Sequence, residues 1–224
     1  MSIKNLLTFL FFSVFSITSL AQTDIPFGVE IRAFRAKDSA QMPSKGQILF
    51  VGSSSFTNWT DVQDYFPEYP IINRGFGGSS LPDVIRYADD VIFKYDPSQI
   101  VIYCGENDLA GSNTETADTV FNRFKVLFGM IRAKYPKVPV VFVSLKPSPS
   151  RAHLMPEMLK ANVAIRNFLK KKKKTDFVDV YHAMLTSEGK PMPDIFLKDE
   201  LHMNAKGYAI WQEKIKPYLK KPAK

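Results

Sequence analysis

The chain has 224 residues, of which 45% are hydrophobic and 23% are charged, so it carries enough apolar material for the packed core of one domain. This composition excludes a disordered chain as the default interpretation. The formal net charge of +8 excludes an acidic protein, and the single cysteine, Cys104, excludes a disulfide within the chain.

The first 21 residues have the pattern of a secretory signal peptide. Lys4 precedes an apolar run over residues 6–15, and the small residues Ser19 and Ala21 stand before the expected cleavage point. The run is too short for a membrane-spanning helix, and no later segment approaches the roughly 18 uninterrupted apolar residues that a span needs. We therefore expect removal of residues 1–21, leaving one soluble domain over residues 22–224 that is secreted or periplasmic.

The remaining sequence alternates between predicted strands and predicted helices. A lead-in over residues 22–46 holds a short predicted helix at 29–35. Runs of β-branched or aromatic residues then predict five strands, at 47–51, 71–73, 99–103, 138–143 and 177–180. Helical spacing between the runs predicts helices at 83–93, 116–135, 156–170 and 205–219, the last one capped by Asn204.

The order of these elements predicts an α/β fold. Each strand run is nearly all apolar, as in parallel strands that helices cover on both faces. We expect a three-layer α/β/α sandwich around a five-stranded parallel sheet, with the ligand site outside the carboxyl ends of the strands. Polar loops with glycine follow the first three strands, at 52–55, 73–78 and 105–108, and should converge at that edge.

Asp199 and His202 stand three positions apart near the C-terminus. A carboxylate and an imidazole at this spacing can orient and deprotonate a serine nucleophile. Taken alone, the pair is equally explained by a polar loop that caps the final helix. The three upstream loops favour the catalytic interpretation, because they offer serines and amide groups at the same predicted sheet edge.

These blocks resemble, in order, those of the SGNH hydrolases, also called the GDSL esterase/lipase family. The family's nucleophile block, Gly-Asp-Ser, corresponds to residues 52–54, and the glycine of its second block corresponds to Gly78. Its Gly-x-Asn-Asp block corresponds to residues 105–108, and its Asp-x-x-His block to residues 199–202. The resemblance spans essentially the whole chain after the signal peptide and implies the flavodoxin-like SGNH hydrolase fold.

The resemblance also implies the roles of the site residues. Ser54 is the expected nucleophile, His202 the base and Asp199 the carboxylate that orients it. The expected oxyanion hole consists of the backbone N–H of Ser54, the backbone N–H of Gly78 and the side-chain amide of Asn107. An aspartate could not replace Asn107, because it would set a negative charge against the developing oxyanion.

The chain departs from the family pattern at Ser53, where the family usually has an aspartate. Family members that read Gly-Ser-Ser resemble this chain, so the change does not indicate lost activity. Because Ser53, Ser54 and Ser55 are adjacent, position alone singles out Ser54 as the nucleophile. The sequence has no Gly-x-Ser-x-Gly elbow, which argues against an α/β-hydrolase.

For several other residues with reactive side chains we expect no catalytic role. We expect Cys104 to be a small buried residue, and His153 and His182 to be surface or helix-end histidines. The roles of Glu106 and Asp108 stay open.

The basic residues concentrate at 170–174 and at the C-terminus. The helix macrodipole favours lysines in a last turn, and no zinc-ligand spacing or nucleic-acid recognition pattern accompanies them. We expect a solvated helix end, no nucleic-acid partner, no metal and no cofactor.

The leading hypothesis is a serine esterase that hydrolyses small acyl esters, with acetyl esters on carbohydrate as the expected substrate. One alternative is a lysophospholipase or thioesterase that releases longer acyl chains. The other is a catalytically inactive glycan-binding protein on the same scaffold. The motif blocks do not encode the substrate or the oligomeric state, because specificity lies in the loops around a site.

Overall fold

A computed structural model describes residues 25–111 and 115–221 of the protein, and the predicted signal peptide at 1–21 lies outside the described residues. Five strands are present, namely β1 Ile48–Gly52, β2 Ile71–Gly75, β3 Gln99–Tyr103, β4 Val140–Val143 and β5 Thr175–Val178. They form one sheet in the order β2-β1-β3-β4-β5, and each neighbouring pair is parallel. The predicted five-stranded parallel sheet is confirmed.

Helices connect the strands. In the described part of the chain the α-helices are α1 Gly28–Ala40, α2 Ser54–Thr57, α3 Val62–Tyr65, α4 Leu81–Arg86, α5 Glu106–Ala110, α6 Ala117–Lys134, α7 Met155–Leu169 and α8 Ala205–Ile215. A π-helical turn spans Asp89–Phe93, and 3-10 turns span Pro149–Leu154, His182–Met184, Pro193–Ile195 and Lys216–Tyr218.

The sheet separates two hydrophobic cores, because successive side chains of a strand point to opposite faces. In β3, Ile100 and Ile102 pack into the core formed with α1, α4, α6 and α7. Val101 and Tyr103 pack into the opposite core, formed with α2, α3 and α8. This arrangement is the predicted three-layer α/β/α sandwich.

The strands differ from their predicted ranges only at the ends, and β5 shows a displacement at both ends. It begins at Thr175 and ends at Val178, whereas the predicted range was 177–180. β5 lies at the edge of the sheet, and its first three residues are only half-buried. Its first two residues, Thr175 and Asp176, can therefore be polar, and a search for apolar runs misses them.

The predicted short helix at 29–35 is wrong in length, because α1 continues to Ala40. Its second half buries an acid rather than an apolar residue. Asp38 is 5% exposed, and its carboxylate pairs with the guanidinium of Arg74 at 2.5 Å and with Lys94. An apolar stripe therefore cannot reveal this part of the helix.

The helix predicted at 83–93 begins earlier and is interrupted. Ser80 and Asp83 form a capping box, so α4 begins at Leu81 and has Pro82 in its first turn. It ends at Arg86, before the π-helical turn. The last predicted helix, 205–219, is α-helical only as far as Ile215 and then continues as a 3-10 turn.

Two further properties of the described residues concern membrane-spanning helices and the lysine run. No helix within residues 25–111 and 115–221 is both long and apolar enough to cross a bilayer. All five lysines of the 170–174 run are exposed where α7 ends, as expected for a solvated helix end.

Candidate active site

The candidate site lies at the carboxyl edge of the sheet, where β1 meets α2. Gly52 ends β1 with a φ of 144°, and Ser53 precedes α2, whose first residue is Ser54. A Cβ at Gly52 would lie 1.8 Å from the carbonyl oxygen of Tyr103. Only glycine permits this close approach of β1 and β3, which sets the turn that carries Ser54.

Ser54, His202 and Asp199 form one hydrogen-bonded chain. The Oγ of Ser54 lies 3.2 Å from Nε2 of His202. Nδ1 of His202 lies 2.6 Å from Oδ2 of Asp199. The structure therefore brings together three side chains that are up to 148 positions apart in the sequence.

The second carboxylate oxygen of Asp199 fixes the local backbone. Oδ1 accepts hydrogen bonds from the backbone N–H groups of Leu201 at 3.0 Å and His202 at 2.9 Å. The His202 ring and these N–H groups lower the pKa of Asp199 to about 2. An ionised Asp199 favours the proton on Nδ1 of His202, which leaves Nε2 as an acceptor toward Ser54.

The surroundings of the three adjacent serines distinguish them. Ser53 and Ser55 are each only 3% exposed, whereas Ser54 is partly exposed. The Oγ of Ser53 accepts a hydrogen bond from Nδ2 of Asn107 at 2.7 Å. Of the three hydroxyl groups, that of Ser54 contacts His202.

A second Asp-x-x-His sequence, Asp179 to His182, has the same local geometry. Oδ2 of Asp179 lies 2.8 Å from Nδ1 of His182, and Oδ1 accepts the backbone N–H of His182 at 3.1 Å. This pair follows β5, three strands away from β1, and the His182 side chain is 61% exposed. The Asp-x-x-His spacing alone is therefore enough to form such a pair. The pair formed by Asp199 and His202 differs in that the hydroxyl of Ser54 lies within hydrogen-bond distance of its imidazole.

Two of the three predicted oxyanion donors are backbone N–H groups. Ser54 is the first residue of α2, and the N–H of a first helical residue has no acceptor within its own helix. Gly78 is exposed and has a φ of 72°, in the left-handed region that favours glycine. A Cβ at Gly78 would meet a ring atom of Phe27 at 4.0 Å, so this side of the backbone is open.

The third predicted donor, Asn107, lies in the first turn of α5, directly beyond β3. Its Nδ2 donates to the Oγ of Ser53 at 2.7 Å and to the carbonyl oxygen of Ser79 at 3.0 Å. Its Oδ1 accepts a hydrogen bond from Nη2 of Arg151 at 3.0 Å. An incoming substrate oxygen would share or replace the contact with the Ser53 hydroxyl, which can rotate.

Glu106, whose role the sequence left open, belongs to a buried charged cluster. Nη1 of Arg151 lies 2.8 Å from its carboxylate and Nζ of Lys146 lies 3.3 Å from it, and the hydroxyl of Tyr103 donates to it. Burial alone would raise the pKa of Glu106, but Lys146 and Arg151 hold it below its ordinary value. The carboxylate is therefore ionised, and it anchors both cations.

The sequence also left the role of Asp108 open, and in the structure this residue connects α5 to neighbouring helices. Its Oδ2 accepts the backbone N–H of Leu81 at 2.9 Å, and its Oδ1 accepts Nη1 of Arg123 at 3.0 Å. Burial raises the pKa of Asp108, and these hydrogen bonds oppose that effect. Asp108 thus ties the helix that carries Asn107 to α4 and α6.

The surroundings of Cys104 and His153 are those expected for a small buried residue and a surface histidine. Cys104 is fully buried, its thiol contacts the carbonyl oxygen of Ser79 at 3.6 Å, and burial raises the pKa of the thiol. His153 is exposed in a 3-10 turn. Among residues 25–111 and 115–221, no group of three or more His, Cys, Asp or Glu side chains could hold a metal ion.

Sequence reasoning missed Arg151, which contacts both Glu106 and Asn107. The position of Arg151 in the sequence could have identified it, because it lies in the segment after the fourth strand, β4, at the same sheet edge as the other loops. The predicted loops followed only the first three strands.

Residues 45–210 match the sequence profile of the GDSL-like lipase/acylhydrolase family. Among solved structures, a GDSL-like lipase from Bacteroides thetaiotaomicron has a TM-score of 0.71 at 24% identity, over 84% of this chain and 96% of that one. An acetyl xylan esterase from Geobacillus stearothermophilus has a TM-score of 0.63 at 13% identity, over 81% and 98%. A carbohydrate esterase family 3 structure from Talaromyces cellulolyticus has a TM-score of 0.58 at 16% identity, over 77% and 95%. Among curated proteins, none matches the sequence.

Proposed function

The chain belongs to the GDSL-like lipase/acylhydrolase family, and on that premise we propose that it is a serine esterase with Ser54 as nucleophile. His202 is the base, and Asp199 orients it. The observation that carries the proposal is the continuous hydrogen-bonded chain from Asp199 through His202 to Ser54, with contacts of 2.6 and 3.2 Å. A serine hydroxyl is a weak nucleophile without such a base.

In the first step, the Oγ of Ser54 attacks the carbonyl carbon of the ester while its proton passes to Nε2 of His202. The former carbonyl oxygen becomes negative and accepts hydrogen bonds from the N–H groups of Ser54 and Gly78 and from Nδ2 of Asn107. Each such donor is worth about 3 kcal/mol in other hydrolases. The bond to the alcohol oxygen then breaks, the alcohol leaves with the proton from His202, and the acyl group stays on Ser54.

In the second step, water replaces the alcohol. His202 takes a proton from the water as its oxygen attacks the acyl carbon, and the same donors stabilise the second oxyanion. When the intermediate collapses, the carboxylic acid leaves and His202 returns its proton to the Oγ of Ser54. Asp199 stays ionised throughout, which agrees with its lowered pKa of about 2.

For the substrate, the proposal names small acyl esters, chiefly acetyl esters on carbohydrate. Two solved structures with this fold are an acetyl xylan esterase and a carbohydrate esterase, which supports the choice. The signal peptide predicted at residues 1–21 also supports it, because an exported protein would meet extracellular or periplasmic polysaccharide. Export to the periplasm or beyond the cell is part of the proposal.

A hydrolysis screen tests the proposal. The wild type is assayed against acetyl, butyryl, octanoyl and dodecanoyl esters of one chromogenic alcohol and against acetylated xylan oligosaccharides. Ser54→Ala is the inactive variant, and Ser55→Ala is its matched control. We expect the highest kcat/KM for acetyl esters and a loss of about 10³-fold or more in Ser54→Ala.

Each other outcome contradicts part of the proposal. A maximum at the octanoyl or dodecanoyl ester would contradict the acetyl specificity and support the lysophospholipase or thioesterase alternative. A folded wild type that hydrolyses none of these esters would contradict the esterase assignment and support the glycan-binding alternative.

A further inference from the structure

Arg151 contacts the oxygen end of the side-chain amide of Asn107, the predicted oxyanion donor. It lies in the 3-10 turn Pro149–Leu154, and its side chain is 18% exposed. Its Nη2 donates to Oδ1 of Asn107 at 3.0 Å, and its Nη1 donates to Oε1 of Glu106 at 2.8 Å. One guanidinium thus joins the amide to a buried carboxylate.

The orientation of an asparagine amide depends on its hydrogen-bond partners, because its oxygen and nitrogen ends are nearly equal in size. At Asn107, Oδ1 faces Arg151, which can only donate, and Nδ2 faces the carbonyl oxygen of Ser79, which can only accept. A 180° flip would set the NH₂ against the guanidinium and Oδ1 against the carbonyl oxygen. Arg151 and Ser79 therefore decide which end of the amide serves as donor.

The charge of this cluster favours donation by Asn107. Glu106 contacts two basic side chains, Lys146 and Arg151, and the guanidinium of Arg151 is the charged group that lies against the amide. A charge-assisted hydrogen bond to Oδ1 draws electron density from the amide and makes its N–H groups stronger donors. The buried Glu106 holds Arg151 in place for this task.

The residue before Arg151 connects the same segment to the catalytic base. The N–H and Oγ of Ser150 donate to the carbonyl oxygen of Glu200 at 3.2 and 2.9 Å. Glu200 has a φ of 55° and lies between Asp199 and His202. One short segment after β4 thus contacts both the loop that carries the base and the helix that carries the oxyanion donor.

We propose that Arg151 is a positioning residue for the oxyanion hole. Anchored by Glu106, it orients and polarises the amide of Asn107 so that Nδ2 donates to the oxygen that gains charge during acyl transfer. The inference rests on the proposed esterase function. The strengthened hydrogen bond from Asn107 stabilises mainly the transition state. Loss of Arg151 therefore lowers kcat far more than it changes KM.

The test compares steady-state kinetics of the wild type, Arg151→Ala, Asn107→Ala and the double variant on an acetyl ester. The control is Arg35→Ala, because Arg35 also forms a two-point ion pair, with Asp90 at 2.7 Å. We expect Arg151→Ala to lower kcat by about 10- to 100-fold, less than complete removal of a donor costs. In the Asn107→Ala background, the same change should alter kcat by less than about threefold.

Chemical rescue separates positioning from a structural role. Guanidinium ion, added well below denaturing concentrations, should restore part of the kcat of Arg151→Ala and leave Arg35→Ala and Asn107→Ala unchanged. Circular dichroism and thermal melting check that each variant is folded. If Arg151→Ala does not fold, Arg151→Lys replaces it. The kcat of Arg151→Lys should still fall, because an ammonium group cannot donate to Glu106 and Asn107 in the planar two-point geometry of a guanidinium.

Three results would overturn the inference: a kcat of Arg151→Ala equal to wild type, full additivity with Asn107→Ala, or an effect confined to KM. Unchanged kcat in Arg151→Lys would do so as well where that variant is used. Failure of the proposed function looks different, because a wild type that hydrolyses no ester would remove the reaction itself. An active wild type, an inactive Ser54→Ala and an unaffected Arg151→Ala would overturn only the role of Arg151.

Discussion

Asp199 uses both of its oxygens, one on the ring of His202 and one on two backbone N–H groups. An asparagine has only one acceptor oxygen, so Asp199→Asn must either lose the backbone contacts or favour the wrong tautomer of His202. We expect kcat to fall by about 10⁴-fold, as in other serine triads. The matched control is Asp179→Asn, which disrupts the second Asp-x-x-His pair and should leave kcat unchanged. Comparable losses in both variants would contradict the assignment of His202 as base.

The lowered pKa of Asp199 also predicts a pH dependence of stability. The hydrogen bond to His202 and two backbone hydrogen bonds lower the pKa from 3.8 to about 2. A lowered carboxyl pKa stabilises the fold above the unfolded value of 3.8, and this contribution is lost as the pH falls through about 2. The wild type should therefore exceed Asp199→Asn in free energy of unfolding at pH 6, by a margin that shrinks toward pH 2.

Urea unfolding at several pH values measures this margin. Since the Asp199 side chain is 47% exposed, added salt should reduce the margin too. A margin that grows as the pH falls would contradict the lowered pKa.

The predictability of individual site residues differs for a physical reason. Ser54, Asn107 and His202 stand in short blocks whose residue types the proposed chemistry needs, so the sequence alone could nominate them. Arg151 is 44 positions from Asn107, and no spacing rule links the two residues. Their contact arises only because β3 and β4 are neighbours in the sheet, which places both following segments side by side.

At the scale of elements, the N-terminus of α8 holds the loop that carries His202. Asn204 accepts the backbone N–H groups of Lys206 and Gly207, and its Nδ2 donates to the carbonyl oxygens of Asp194 at 2.8 Å and Phe196 at 3.0 Å. We expect Asn204→Ala to lower the free energy of unfolding by about 1–2 kcal/mol.

The same substitution should lower kcat, because Asn204 lies two residues after His202. Urea unfolding and steady-state kinetics measure the two effects. The exposed Asn167 of α7 provides the control, and Asn167→Ala should leave both quantities nearly unchanged. Equal destabilisation by the two substitutions would contradict the role of the cap.

The junction of β1 and α2 offers a second prediction at this scale. Gly52→Ala would set a Cβ 1.8 Å from the carbonyl oxygen of Tyr103, at a φ of 144°. The two strands must separate or the turn before Ser54 must change, so we expect a loss of about 3 kcal/mol or more in the free energy of unfolding. Thermal melting compares it with Gly77→Ala, whose Cβ would meet nothing within 4 Å. Similar melting temperatures for the two variants would contradict this packing.

Burial accounts for part of the difference between the predicted and the observed elements. β3 lies in the middle of the sheet and is buried along its whole length, and its predicted range, 99–103, agrees with the structure in full. β5 and the second half of α1 bury fewer apolar residues and have polar partners, so their predicted ends were wrong.

At the scale of the whole molecule, the two cores share one sheet. Trp59 and Trp211 both lie in the core with α2, α3 and α8, and both are fully buried. Tryptophan fluorescence therefore reports on one core, whereas far-UV circular dichroism reports on helices from both layers. Because each strand contributes side chains to both cores, we expect the two signals to change together in urea. Separate midpoints would show that the layers unfold independently.

Labelling by a fluorophosphonate tests the central claim most directly, because this reagent forms a covalent adduct with an activated serine by displacement of fluoride. Intact mass and peptide mapping of the wild type should show one adduct, on Ser54. Ser54→Ala should lose it, His202→Ala should form it much more slowly, and Ser55→Ala should keep it. An unlabelled wild type, or an adduct that persists in Ser54→Ala, would contradict the assignment of Ser54 as the nucleophile.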